Sequence, residues 1–89
     1  MSWGAALSAL HGSTRLFVDI ETTGLNFLSD TILSIQVSDG EDDQYVFMTQ
    51  DDAESIPTLF DTLNSSKMLI GHNIKFDLKF LRTHGYHST

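Results

Sequence analysis

The run Leu16-Phe17-Val18-Asp19-Ile20-Glu21-Thr22-Thr23-Gly24-Leu25 alternates apolar and polar positions and then breaks at a glycine. Successive side chains of a strand point to opposite faces. Leu16, Val18 and Ile20 therefore share one face, and Phe17, Asp19 and Glu21 share the other. Two carboxylates at i and i+2 on one face repel each other unless a cation lies between them, and oxygen-only ligands suit a hard ion such as Mg²⁺ or Mn²⁺. Read by itself, the pair is also what a solvated edge strand looks like. Thr22 to Asp30 then reads as a turn and loop, with Gly24 supplying backbone freedom.

Working outward, the next informative segment is Gly71-His72-Asn73-Ile74-Lys75-Phe76-Asp77-Leu78-Lys79-Phe80-Leu81. Asn73 is a favourable N-cap residue, and the spacing predicts a helix starting there, with Ile74, Leu78 and Leu81 as its apolar stripe and Phe76 and Phe80 widening it. Gly85 is its expected stop, with His84 in the last turn. Asn73 and Asp77 lie one turn apart and so share a side of that helix. An acid this close to a helix N-terminus also simply complements the dipole.

Between the two segments, Thr31–Ser38 is expected as a second strand, with Leu33, Ile35 and Val37 on one face. Asp39-Gly40 opens an acidic hairpin loop through Glu41, Asp42 and Asp43, and Gln44–Thr49 returns as a third strand. Ile56, Leu59, Phe60 and Leu63 fall at i, i+3, i+4 and i+7, the stripe of an amphipathic helix. Pro57 suits its first turn and Asn64-Ser65-Ser66 ends it. Lys67-Met68-Leu69-Ile70-Gly71 is uniformly apolar at its centre, and is expected inside the sheet, parallel to the first strand. Residues 1–14 read as a loosely ordered or short helical lead-in, and 15–89 as the structured part.

Eighty-nine residues make one domain at most. Twelve acidic residues against five basic ones give a net charge of −7, which argues against binding nucleic acid through a basic surface. Bound divalent ions supply the missing positive charge in acidic proteins that act on phosphodiesters. The absence of cysteine removes disulfides and thiolate metal sites and makes an intracellular, cytoplasmic location the expectation. The first twelve residues, with Ala5, Ala6, Leu7, Ala9 and Leu10, lack the basic start and the long apolar block expected of a signal peptide or membrane span. Lys75, Lys79 and Arg82 form a basic stripe on the last helix, read mainly as a solvated face. The four histidines, His11, His72, His84 and His87, lack metal-ligand spacing, and His72 alone abuts the second segment's strand end.

Taken together, Asp19-x-Glu21 running into Thr22 and Leu25, and Asn73-x-x-Phe76-Asp77, resemble the first and second motifs of the DEDD superfamily of 3′–5′ exonucleases, most nearly the proofreading domain of family A DNA polymerases. The resemblance covers about Arg15 to Gly85 and implies an α/β, ribonuclease H-like fold, incomplete: a three-stranded antiparallel meander, a helix, a parallel strand and a helix. It implies removal of 3′-terminal nucleotides with two divalent metal ions, Mg²⁺ or Mn²⁺, held by four carboxylates. Carried over by position, Asp19, Glu21 and Asp77 are the catalytic, metal-binding acids. Thr22, Thr23, Leu25, Asn73 and Phe76 are the candidate contacts to a single-stranded DNA 3′ end, with Leu25 wedged against the terminal bases and Phe76 either packed beneath the site or stacked on a base.

The family's third motif, with the fourth carboxylate and its nearby Tyr or His, has no counterpart here, because no acid follows Tyr86. The reading is therefore of an N-terminal half, completed by a missing C-terminal half or a second polypeptide, with doubtful activity alone and an open sheet edge prone to self-association. Two alternatives stand beside it. One is an RNase D-like exonuclease trimming RNA. The other is a catalytically silent module binding metal, a strand end or a partner.

Overall fold

The computed structural model describes residues 3–26, 28–40 and 44–86; the acidic loop Glu41–Asp43 and His87 lie outside the described residues. The elements are α1 (Trp3–Leu10), β1 (Arg15–Thr22), β2 (Ile32–Ser38), β3 (Gln44–Met48), a 3₁₀ turn (Ala53–Ser55), α2 (Ile56–Ser65), β4 (Met68–Ile70) and α3 (Ile74–Thr83). The sheet order is β3-β2-β1-β4, with β1–β2 and β2–β3 antiparallel and β1–β4 parallel. This mixed four-stranded α/β arrangement is the one expected of a partial ribonuclease H-like fold.

Alternation along β1 is as the sequence requires. Leu16, Val18 and Ile20 are buried, whereas Asp19 and Glu21 are exposed and Phe17 is half-buried. The buried face continues across the sheet through Val18–Val37–Tyr45 and Ile20–Ile35–Phe47. Against it pack Leu59 and Leu63 of α2 and Phe80 and Leu81 of α3. Each such apolar side chain contributes about 1.5–3 kcal/mol by leaving water.

Leu33 departs from expectation. Glu21 pairs with Ser34 but Thr22 pairs with Ile32, so one residue of β2 is extra at that point. The irregularity has the residue count of a β-bulge, which shifts the alternation by one. Ile32 consequently takes the core position at 2% exposure, and Leu33 lies outside at 47%. The strand β4 is parallel to β1 as expected and, rather than lying inside the sheet, forms the open edge expected of an incomplete fold, with Met68 57% exposed and no described strand on its outer side. The lead-in contains a helix, and Leu7 and Leu10 of α1 join the core beside α2.

The last helix ends in a way that explains Gly85. The Gly85 amide donates to the Arg82 carbonyl at 3.2 Å and the Tyr86 amide to the Leu81 carbonyl at 2.9 Å. Those two bonds form a Schellman stop, whose left-handed residue is Gly85 at φ +103°. The stop turns Tyr86 inward to 1% exposure. There its hydroxyl donates to Asn64 Oδ1 at 2.9 Å, and its ring meets Phe60 edge-on at 5.4 Å. Among the described residues no helix is long and apolar enough to cross a membrane.

Candidate functional site

On α3 the fully buried positions are Asp77, Phe80 and Leu81, spaced i, i+3, i+4. A carboxylate thus occupies a place in the core stripe. It is put there by the β4–α3 connection. Pairing of Phe17 with Ile70 sets Gly71 beside Val18, and the chain then turns through His72 and Asn73 into the helix. A Cβ on Gly71 would stand 2.9 Å from the Val18 carbonyl oxygen and 3.1 Å from Asp77 Oδ2. Only a residue without a side chain allows backbone and carboxylate to approach so closely. Gly71→Ala is therefore expected to cost about 1–3 kcal/mol, read from the urea midpoint, by forcing β4 and the acid apart. An unchanged midpoint would show that the junction yields freely.

Burial is the main influence on Asp77. Its carboxyl is pushed up from 3.8 to about 6, first by desolvation, then by the negative charge of Asp19, with His72 pulling the other way. Its Oδ2 is buried without any hydrogen-bond partner. Leaving a buried polar atom unpaired is costly, and the chemistry that best satisfies a carboxylate so placed is a cation. Asp19 lies in a groove of about 420 Å³ on the other side of the sheet from the core, with Phe17, Gln36, Ile70, Gly71 and His72 among its walls. Its Oδ1 accepts the Ile20 amide at 3.1 Å.

The structure thus brings Asp19, Asp77 and His72 into one electrostatic neighbourhood. Glu21 shares the exposed side of β1 with Asp19, about 6.6 Å further along the strand. Among the described residues no three acid or histidine side chains are gathered closely enough to hold an ion by themselves.

The expected strand-end contacts surround the acids in a different manner. Thr22 is half-buried and its hydroxyl donates to the Gly24 carbonyl at 2.6 Å. Thr23 donates to Asp30 Oδ1 at 3.1 Å, and Asp30 Oδ2 accepts the Asn26 amide at 3.0 Å. The Asp30 carboxylate lies so close that a Cβ on Gly24 would be 2.5 Å from it. This turn holds Leu25 out in water at 85% exposure, and Leu28 in the same loop is 79% exposed. Asn73 is the N-cap of α3 by position, but its side chain makes no capping bond and is exposed. Phe76 is half-buried and its ring packs on Phe80 at 4.9 Å. Sequence reasoning gave Asp30 no part in the site and read His84 only as a last-turn residue; an Asx-type turn around Asn26 and Asp30 was the available signal for the former.

Residues 4–89 match the profile of a family described as 3′–5′ exonuclease. Over 80 residues, 90% of this chain, the sequence is 36% identical to DNA polymerase I of Aquifex aeolicus (strain VF5), of which that stretch is 12%. Over 70 residues, 76% of the chain, it is 34% identical to an uncharacterized protein of Methanocaldococcus jannaschii, of which the stretch is 39%. The chain spans well under half the length of either relative.

Proposed function

The chain belongs to the 3′–5′ exonuclease family, and from that membership we propose that its residues form the part of a proofreading-type site that binds a DNA 3′ end and its catalytic cations. The observation that carries the proposal is Asp77, a buried carboxylate with an orphaned oxygen that feels the negative charge of Asp19. Buried polar atoms are generally paired, and a cation ligand is a role that fits an orphaned carboxylate oxygen. The donor set suits hard divalent ions, with Asp19, Glu21 and Asp77 as their ligands. When bound, such ions activate water and stabilise the charge on a cleaved phosphodiester.

The chain's own residues do the rest. Asp19 lines the groove from which a strand end arrives, and Glu21 follows it on the same exposed side of β1. The turn from Thr22 to Asn26, stiffened by Asp30, presents Leu25 as a rigid apolar wedge for the terminal bases. Asn73 and Phe76 flank the approach from α3. DNA is favoured over RNA by the kinship with a DNA polymerase I. The fourth carboxylate that the resemblance implies is not among residues 1–89; in this proposal it comes from chain outside them, and 15–89 act as the first half of the nuclease domain.

The test is a Mn²⁺ titration by calorimetry, followed by incubation with a 5′-labelled single-stranded oligonucleotide. The assay is run with the chain alone and with a polypeptide supplying the third motif. Metal binding, and a product ladder that needs both metal and the third motif, are expected. A chain that takes up no Mn²⁺ at millimolar concentration would leave only a partner-binding role.

A further inference from the structure

Resting on the strand-end reading above, we infer that His84 is a positioning residue, whose imidazole ties the C-terminal end of α3 to the turn that carries Thr22, Thr23 and Leu25. His84 is the C-cap of α3. Its Nδ1 lies 2.8 Å from the Phe80 carbonyl oxygen. Its Nε2 lies 3.1 Å from Thr31 Oγ1 and 3.4 Å from the Ile32 amide nitrogen. A carbonyl oxygen only accepts, so Nδ1 must carry the proton. A backbone N–H only donates, so Nε2 must offer its lone pair. The two sides of the ring independently select the same neutral tautomer, with the helix satisfied on one side and the start of β2 on the other.

From Thr31 the bonding continues into the turn. The Thr31 amide donates to Thr23 Oγ1 at 3.0 Å, and the Thr23 amide donates back to the Thr31 carbonyl at 3.0 Å. Thr23 Oγ1 in turn donates to Asp30. The turn is thus suspended between β1 and Thr31, and His84 fastens Thr31 to a helix 53 positions away in sequence. The same helix meets β1 near its other end, where the Asp77 carboxylate and the Val18 carbonyl both crowd Gly71. Seven residues of helix separate these two attachments, about 10 Å. Between them Phe80 and Leu81 pack in the core, and the His84 attachment adds a polar restraint at the C-terminal end of α3, which sets the placement of the Leu25 wedge relative to Asp77. The sequence gives no local sign of this, because the ring's partners are distant and one of them is backbone.

His84 and Thr31 are exposed, so water competes for these bonds and the expected effects are a few-fold rather than absolute. Two variants of the full chain separate the contacts. His84→Asn keeps a short donor for the Phe80 carbonyl but does not reach β2. His84→Gln is one methylene longer and brings an acceptor to the Ile32 amide. Long-range ¹H–¹⁵N spectra of the wild type are expected to show the Nδ1–H tautomer. In His84→Asn, amide exchange of Thr31 and Ile32 is expected to quicken about fivefold, and affinity for a single-stranded oligonucleotide with a free 3′ hydroxyl to fall by about the same factor. Mn²⁺ affinity should stay unchanged, and His84→Gln should recover most of both losses. A ring protonated at Nε2, or an Asn variant whose Thr31 and Ile32 amides exchange at the wild-type rate, overturns the inference. Wild-type chain that binds neither Mn²⁺ nor the oligonucleotide overturns the exonuclease reading instead, while tautomer and exchange still decide whether the brace exists.

Discussion

Asp77→Asn is expected to make the metal-free chain more stable at pH 7.5 and to abolish its stabilisation by Mn²⁺. The folded carboxyl titrates at about 6, above its ordinary 3.8. The folded chain therefore keeps this proton to higher pH than the unfolded chain does. Between about pH 4 and 6 the group's contribution to stability falls as pH rises, and above 6 the whole deficit is present. About two pKa units correspond to an upper bound near 3 kcal/mol. Asp19 is exposed, and its share of the effect is screened by solvent, so about 2 kcal/mol is the more realistic size. For a domain this small that is about 10 °C in the midpoint of thermal unfolding. Asparagine removes the charge while nearly preserving the shape. Saturating Mn²⁺ should offset the deficit in the wild type, by about 2.7 kcal/mol at a hundredfold excess over Kd, and do nothing for the variant. Melting curves from pH 4 to 8, with and without Mn²⁺, read both effects. An Asn variant that melts below the wild type at pH 7.5 would mean that the ionised acid is stabilising, and the ligand reading would go with it.

The second large effect is expected from Asp19→Ala, and it is the converse: loss of chemistry without loss of fold. Asp19 is exposed, and the hydrogen bond it accepts is from its neighbour's amide. Its removal should change stability by well under 1 kcal/mol. In the assay completed by the third motif, the rate of mononucleotide release should fall about 10³-fold, since several kcal/mol of charge stabilisation pass through the ions it would hold. The same variant should lower the pKa of Asp77, because the charge of Asp19 is the second cause of its elevation. A ¹³C carboxyl titration reads that shift. Retained cleavage with an unshifted Asp77 would separate the two acids and remove the site.

Most of the architecture was legible because each element carries its own period. The alternation of Leu16 to Glu21, the stripe of Ile56, Leu59, Phe60 and Leu63, and the Gly85 stop are all local properties, and the structure follows them. Leu33 was misplaced because the extra residue is a property of the pairing with Glu21 and Thr22, which no window along β2 contains. The apolar run of β4 alone points to the sheet interior, since it does not say whether a further strand lies beyond it; the missing third motif is what points to the open edge. Of the site, the identities of Asp19, Glu21, Thr22 and Asp77 came from motif spacing. The burial of Asp77 did not, although an acid in register with Phe80 and Leu81 is the trace of it. Asp30 acts within its own loop, through Thr23 and Asn26, and the turn composition there is its trace; His84 acts through Thr31 and Ile32 across the fold, and nothing beside it in the chain announces this.

The three-residue strand β4 has a consequence for the order in which the molecule assembles. The meander of β1, β2 and β3 closes through short loops, whereas β4 must find β1 across about fifty residues. That encounter leads the chain into α3, whose Phe80 and Leu81 then pack against the core and set Asp77 in place. The geometry of the proposed site is on this account expected to form last and to open first, so amides of β4 and α3 should exchange through sub-global openings that leave the meander protected.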